Sequence, residues 1–296
     1  MIDFTDLPTR KKAYAGANGG KIAVIYDGEM YMLKFPPHPR RNKDMSYSNS
    51  CISEYIGSHI FEIVGIPVQK TLLGTYTVNG NEKVVVACRD FATHGLVIQD
   101  FASLKNTLID SGHSGYGTEL AEILEAIDEQ TAVDPRELRR RFWDMFITDA
   151  LIGNWDRHNG NWGFLYNSET DGISIAPVYD CGSCLYPQAD ENIMKMTLEN
   201  QAEMDFRIFE IPLSGIRMNG KKINYFDFIS SLQNSDCNAA LKRITCAVDM
   251  QKINALIDET PYISVLQKQF YKAMLTARKE KILDKSLQLL MEKEKK

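Results

Sequence analysis

The chain has 296 residues, with 34 Lys+Arg against 39 Asp+Glu for a net charge of −5, and it is 44% hydrophobic and 25% charged. This composition is globular, which excludes wholesale disorder and a fibrous repeat. The acidic balance argues against direct nucleic-acid binding and leaves room only for a local basic patch.

No stretch approaches the roughly 20 apolar residues of a membrane span. The opening Met1-Ile2-Asp3-Phe4-Thr5-Asp6 lacks the basic start and apolar run of a secretory signal. Six scattered cysteines read as reduced thiols, so the expected location is cytoplasmic, with no membrane partner. Cys181-x-x-Cys184 has a metal-like spacing but no second soft-ligand pair, so zinc is not expected.

The first third reads as strands. Ile22–Tyr26 and Met30–Phe35 flank a turn at Asp27-Gly28-Glu29, and Leu72–Val78 and Lys83–Cys88 flank Asn79-Gly80-Asn81. Between these hairpins the spacing of Ile52, Tyr55, Ile56, His59, Ile60 and Ile63 predicts a helix from Ser46 to Val64, stopped by Gly65. After about Phe91 the pattern turns helical. Thr118–Gln130 is one candidate, and Asp134-Pro135 opens another as N-cap and first residue, running to Gly153. A polar loop (154–161), a strand (Trp162–Tyr166), a turn and a strand (Ile173–Val178) follow. From Thr197 the chain is mostly helical, closing in a charged helix from about Ser264 whose last residues, 291–296, should fray. The expected fold class is α/β (α+β). It has two lobes like a protein kinase: a small β-rich lobe, residues 1–91, and a larger helical lobe, residues 92–296.

The loop Gly153-Asn154-Trp155-Asp156-Arg157-His158-Asn159-Gly160-Asn161 leaves a helix and enters a hairpin, and Asp180-Cys181-Gly182 follows that hairpin directly. A carboxylate, an amide five residues on and a second carboxylate after a hairpin suit phosphoryl transfer. Asp156 would position or deprotonate the attacking hydroxyl, while Asn161 and Asp180 would hold Mg²⁺ on the phosphates of ATP. Upstream, Gly16, Ala17, Asn18, Gly19, Gly20 and Lys21 form a loop able to lay backbone N–H groups over phosphates. Lys34 sits in a strand, and Glu54, in the following helix, is placed to pair with it. Taken singly, each of these residues reads as a turn, a strand-edge or a solvated helix residue; their order carries the inference. His158 would brace the loop, and Arg139-Arg140-Arg141 reads as a solvated face.

The motifs Asn154-x-Asp156-Arg157-His158-x-x-Asn161, Ala176-Pro177-x-Tyr179-Asp180 and Gly16-Ala17-x-x-x-Lys21 resemble the HipA-like serine/threonine kinases, most closely the short cell-translocating members. The resemblance implies Asp156 as catalytic base, Asn161 and Asp180 as metal ligands, and Lys34 on the phosphates. It also implies Cys88, Arg89, Asp90 and Phe91 as the adenine-side hinge. His158 is grouped with the nucleotide-binding loop. The implied substrate is a Ser or Thr hydroxyl on a protein, with autophosphorylation, a toxin-like or effector role, an antitoxin-type partner and translocation into another cell as further family traits. Full-length toxins of the family carry a subdomain ahead of the Gly-rich loop, where about 14 residues stand here. Residues 15–21 contain no hydroxyl side chain, so the family's loop autophosphorylation is not supported. The competing readings are a phosphoinositide-type lipid kinase and a nucleotide-binding pseudokinase.

Overall fold

The computed structural model describes residues 2–14, 20–36, 49–108 and 115–295. Its first half holds β1 (Ile2–Asp3), β2 (Thr9–Arg10), β3 (Lys21–Tyr26), β4 (Glu29–Lys34), α1 (Ser50–Ile63), β5 (Thr71–Val78) and β6 (Asn81–Arg89). These strands form one sheet in the order β1-β5-β6-β4-β3-β2, antiparallel except for β1 against β5. Both expected hairpins close on two-residue turns. Asp27 and Gly28 have φ of 51° and 77°, and Asn79 and Gly80 have φ of 51° and 76°. Positive φ at both positions is what a tight hairpin demands, and Asx-Gly supplies it cheaply. Helix α1 starts at Ser50; the expected start at Ser46 lies outside the described residues.

One face of the sheet carries a small core of Phe4, Val24, Leu33, Val85 and Ala87. On the other face Leu73, Val86 and Cys88 pack with Ile52, Ile56 and Ile60 of α1, and this core continues unbroken into the second half.

The second half begins with a strand rather than a helix. β7 (Leu96–Asp100) pairs with β8 (Gly163–Asn167), and β8 with β9 (Gly172–Ile175). Val97 and Ile98 are both exposed, so β7 lacks the in-out alternation that marks a strand in sequence. Helices α2 (Phe101–Leu108), α3 (Leu120–Glu129) and α4 (Pro135–Ile152) follow β7. Asp134 caps α4 by accepting from Arg136 N, and Gly153 ends it in the left-handed region at φ 65°.

Beyond the hairpin come α5 (Glu191–Glu199), α6 (Gln201–Asp205), a π-helical turn at Phe206–Glu210, and a short ribbon of β10 (Arg217–Met218) and β11 (Lys221–Lys222). Helices α7 (Tyr225–Ser231), α8 (Ser235–Ala247), α9 (Met250–Glu259), α10 (Val265–Arg278) and α11 (Lys285–Glu294) complete the chain. Ser264, where the charged helix is expected to start, opens α10 with a reciprocal capping box to Gln267. The tail does not fray where expected: α11 runs to Glu294, whose carboxylate takes Lys242 Nζ at 2.6 and 2.8 Å. Among the described residues no helix is long and apolar enough to cross a membrane.

Helix α1 is gripped from the helical side as well. It packs on α9 and α4. Ahead of its first turn, Asn49 donates to Ala189 O at 2.8 Å and accepts from Gln267 Nε2 at 3.2 Å. In its middle, Gly57 lets the backbone lie against Cys181 and Cys184. A Cβ there would stand 2.8 Å from Cys184 Sγ and 3.0 Å from Cys181 Cβ, both buried. Alanine would gain about 1 kcal/mol of helix propensity at an open position, but overpacking of this kind costs about 1–3 kcal/mol. Gly57→Ala is therefore expected to destabilise the protein despite its better propensity, read as a lower urea midpoint with an unchanged slope.

Candidate active site

The site is built around Lys34, the last residue of β4. Its ammonium lies 2.9 Å from Glu54 Oε2 and 3.0 Å from Asp180 Oδ1, which joins strand, helix and post-hairpin loop in one contact. Glu54 is 1% exposed, not solvated as a lone helix glutamate would be. Its second oxygen, Oε1, accepts the Cys181 backbone N–H at 3.1 Å. Burial works against the charge on Lys34, but Asp180 and Glu54 outweigh it and hold the ammonium well above its usual pKa. Lys34 in turn holds the Asp180 carboxyl below the usual carboxylate range, against the pull of burial. The Asp180 side chain is 45% exposed. Its φ of 60° is the left-handed conformation that turns this loop. Lys21 opens β3 directly opposite Lys34, and burial together with the Lys34 charge pushes its pKa down.

The loop 154–161 is fixed from beneath by an ion pair that sequence reasoning did not single out. Arg157, 2% exposed, donates Nε to Asp149 Oδ2 at 2.9 Å and Nη2 to Asp149 Oδ1 at 3.2 Å. Its Nη1 reaches Asn161 O at 2.9 Å and also Tyr179 O, so one guanidinium spans the loop 154–161 and the segment leading to Asp180. Burial opposes the charge on Arg157, but the Asp149 carboxylate keeps it firmly protonated. Asp149 accepts a third bond from Asn154 Nδ2 at 2.9 Å, a donor set that suits a carboxylate. Tyr225 of α7 closes the base of the loop by donating to Asn154 O at 2.6 Å.

On this base the loop turns its polar groups in set directions. Asn161 spends its amide nitrogen on Asp156 O at 2.9 Å, which reserves its oxygen for another partner. Burial raises the Asp156 carboxyl, His158 tempers the rise and Asp180 adds to it. The His158 ring accepts Gly160 N–H at 3.0 Å through Nδ1, a bond within the loop itself. Trp162 stacks on Phe101 at 4.0 Å between ring centres.

Cys88 is fully buried within β6, and burial raises its thiol well above the usual value. Arg89 ends the strand and pairs with Glu29, an exposed contact. Asp90 accepts from Lys12 at 2.6 Å and Tyr14 at 2.7 Å, and its own N–H goes to Met30 O at 2.8 Å. The Phe91 ring faces Tyr179 at 6.0 Å. Gly20 O accepts Phe35 N–H at 3.3 Å, whereas Gly16, Ala17, Asn18 and Gly19 lie outside the described residues. Cys181 and Cys184 serve packing: Cys184 donates to Ser53 O at 3.2 Å, and Arg157 meets Cys181 Sγ at 3.6 Å.

Removing one member of a buried ion pair leaves the other uncompensated, at a cost of about 3–5 kcal/mol. Arg157→Ala is expected to lose stability on that scale in chemical denaturation. Arg157→Lys should recover only part of it, because an ammonium cannot fork across Asp149 and still reach the two carbonyls.

Residues 10–260 match the HipA-like C-terminal domain. Over 285 residues the chain is 50% identical to the Serine/threonine-protein kinase CtkA of Helicobacter pylori (strain J99), covering 96% of this chain and 86% of that protein. The crystal structure of a Helicobacter pylori proinflammatory kinase CtkA superposes with a TM-score of 0.93 at 49% identity, over 98% of both chains. The HipA, HipB and operator DNA complex of Shewanella oneidensis MR-1 superposes at 0.51 with 13% identity, over 94% of this chain and 68% of that one, a likeness of fold alone. The chain thus belongs to the HipA-like C-terminal domain family, as a serine/threonine protein kinase of mixed α/β, kinase-like fold.

Proposed function

We propose that this kinase transfers the γ-phosphoryl group of ATP, with Mg²⁺, to Ser or Thr hydroxyls of a protein substrate, with residues 1–91 and 92–296 as the two lobes of the cleft. The observation that carries the reading is the Lys34–Glu54 ion pair at 2.9 Å, which a kinase needs in place to bind phosphates, with Asp180 3.0 Å from the same ammonium. Lys34, oriented by Glu54, takes the phosphates, with Lys21 opposite it on β3. Asp156 receives the attacking hydroxyl and its proton, and a raised carboxyl pKa makes it a better proton acceptor than an exposed aspartate.

The donor chemistry suits Mg²⁺, a hard cation that takes oxygen ligands and keeps several waters. Asn161, with its nitrogen already engaged, would offer Oδ1, and Asp180 would offer its carboxylate. The ion supplies neutralisation of phosphate charge. For adenine, the amides of Asp90 and Ala92 are spent on Met30 O and on Asp90 Oδ1, which points to the backbone of Phe91 among the hinge residues Cys88–Phe91. His158 acts through its own loop rather than on the nucleotide. A toxin-like or effector role and an antitoxin-type partner follow from the resemblance to the HipA-like kinases, one of which superposes here from a toxin–antitoxin complex with HipB and operator DNA.

Two substitutions separate the roles of the aspartates. Asp180→Asn removes the anionic metal ligand and should weaken Mg²⁺-dependent ATP binding as well as transfer. Asp156→Asn should spare nucleotide affinity and cut turnover by about 10²–10⁴-fold, the usual worth of general-base positioning. Calorimetry of ATP·Mg²⁺ binding beside transfer of labelled phosphate to a protein acceptor, followed by mapping of the labelled residues, reads both. Transfer at the parent rate by Asp156→Asn would remove Asp156 from the mechanism.

A further inference from the structure

The ribbon β10–β11 contains no acidic residue and three basic ones, Arg217, Lys221 and Lys222, in an otherwise acidic chain. All three are exposed. The ribbon is not a loose loop. Its turn, with Asn219 and Gly220 at φ 54° and 75°, is clamped by Glu119 at the start of α3. One oxygen of Glu119 takes Asn219 N–H at 2.5 Å and the other takes Gly220 N–H at 3.1 Å. Both oxygens of that carboxylate are thus engaged with the backbone of the turn. The strand approach is fixed too, by Arg217 N–H on Thr118 O at 2.8 Å.

The clamp holds the ribbon beside the catalytic loop. Gly215, just before β10, lies so close to the loop that a Cβ would stand 2.9 Å from Arg157 O and 3.1 Å from Arg157 N. From β11, Lys222 Nζ sits 5.7 Å from the centre of the Trp155 ring, next to Asp156, whose carboxylate feels the lysine charge. Tyr116, 61% exposed, has its ring edge against Gly160 of the same loop. The loop that carries Asp156 therefore touches both an exposed aromatic ring and a fixed cationic ribbon.

We infer that β10–β11 is the acceptor-docking element of this kinase and that it selects Ser/Thr segments carrying acidic side chains beside the phosphorylated hydroxyl. The inference rests on the reading of Asp156 as the residue that receives that hydroxyl. Cations on a pinned ribbon lose little conformational freedom when an acidic segment arrives, and charge complementarity at such an edge mainly sets which partner is accepted. Tyr116 and the half-buried Trp155 offer apolar contact to the same segment.

The test uses the intact protein and paired synthetic Ser peptides that differ only in Glu against Gln, with the acidic pair walked along the positions flanking the serine. Two exposed charge pairs should give about a fivefold or greater preference in kcat/KM for an acidic peptide, carried mainly by KM and shrinking as salt is raised. In the double variant Lys221→Glu/Lys222→Glu the preference should invert toward peptides bearing Arg, an outcome that simple loss of folding would not produce. Equal use of Glu and Gln peptides at every position by the parent protein would overturn the inference while leaving the role of Asp156 intact. So would loss of ATP affinity in the double variant without a change in peptide preference, which would assign the ribbon to the nucleotide. Preferential transfer to phosphatidylinositol vesicles would assign it to a lipid headgroup and overturn the inference as well. Peptide transfer that survives Asp156→Asn would instead bring down the reading on which the inference rests.

Discussion

The junction of β4, α1 and the loop after the hairpin depends on one buried carboxylate. Glu54 has almost no access to water, and each of its oxygens is engaged: one with the Lys34 ammonium, the other with the Cys181 amide. A buried ionised group is tolerated only when it is paired in this way. The consequence is geometric, since β4, α1 and the loop after the hairpin must hold a common position for the charge to be satisfied. Asp180 is the neighbour of Cys181 in sequence, so placing the Cys181 amide on Glu54 also places the Asp180 carboxylate on Lys34.

Kinase helices in the position of α1 are often the moving part of a switch. Here the helix is tethered on several sides. Its apolar residues belong to the same core as α3, α4 and the C-terminal helices, Asn49 ties its start to Ala189 and Gln267, and Gly57 seats it on Cys181 and Cys184. Swinging α1 outward would expose Ile52, Ile56 and Ile60 and leave Glu54 without partners. Packing and ion pairing oppose such a swing and outweigh the burial of charge on Lys34, the one term that favours it.

The parts legible in the sequence were those with short-range chemical signatures. Asp27-Gly28 and Asn79-Gly80 announce their turns, Asp134-Pro135 and Ser264 announce helix starts, and the spacing of Asp156, Asn161 and Asp180 announces phosphoryl transfer. Lys34 and Glu54 were singled out through their order in the chain, because neither carries a local signature. What stayed hidden depends on tertiary placement. Asp149 reads as a helix residue near a C-terminus until Arg157 folds back on it. The strand β7 is exposed on both faces and so shows no alternation, and β10 and β11 are two residues each, below any periodicity. The burial of Glu54 likewise follows from packing across the whole core rather than from its neighbours.

The first strand has a practical bearing on how the protein is handled. Ile2 and Asp3 run beside Gly74 and Thr75, Phe4 N–H bonds Thr75 O at 2.9 Å, and the Phe4 ring fills the upper core directly over Gly74. These few residues cover one edge of β5, an eight-residue strand with the sequence Thr-Leu-Leu-Gly-Thr-Tyr-Thr-Val. A truncation that removes them would uncover a row of unpaired amides and carbonyls flanked by apolar side chains, a template for intermolecular pairing. Preparations shortened at this end should therefore aggregate, and affinity tags are better joined beyond Glu294 than spliced into the strand.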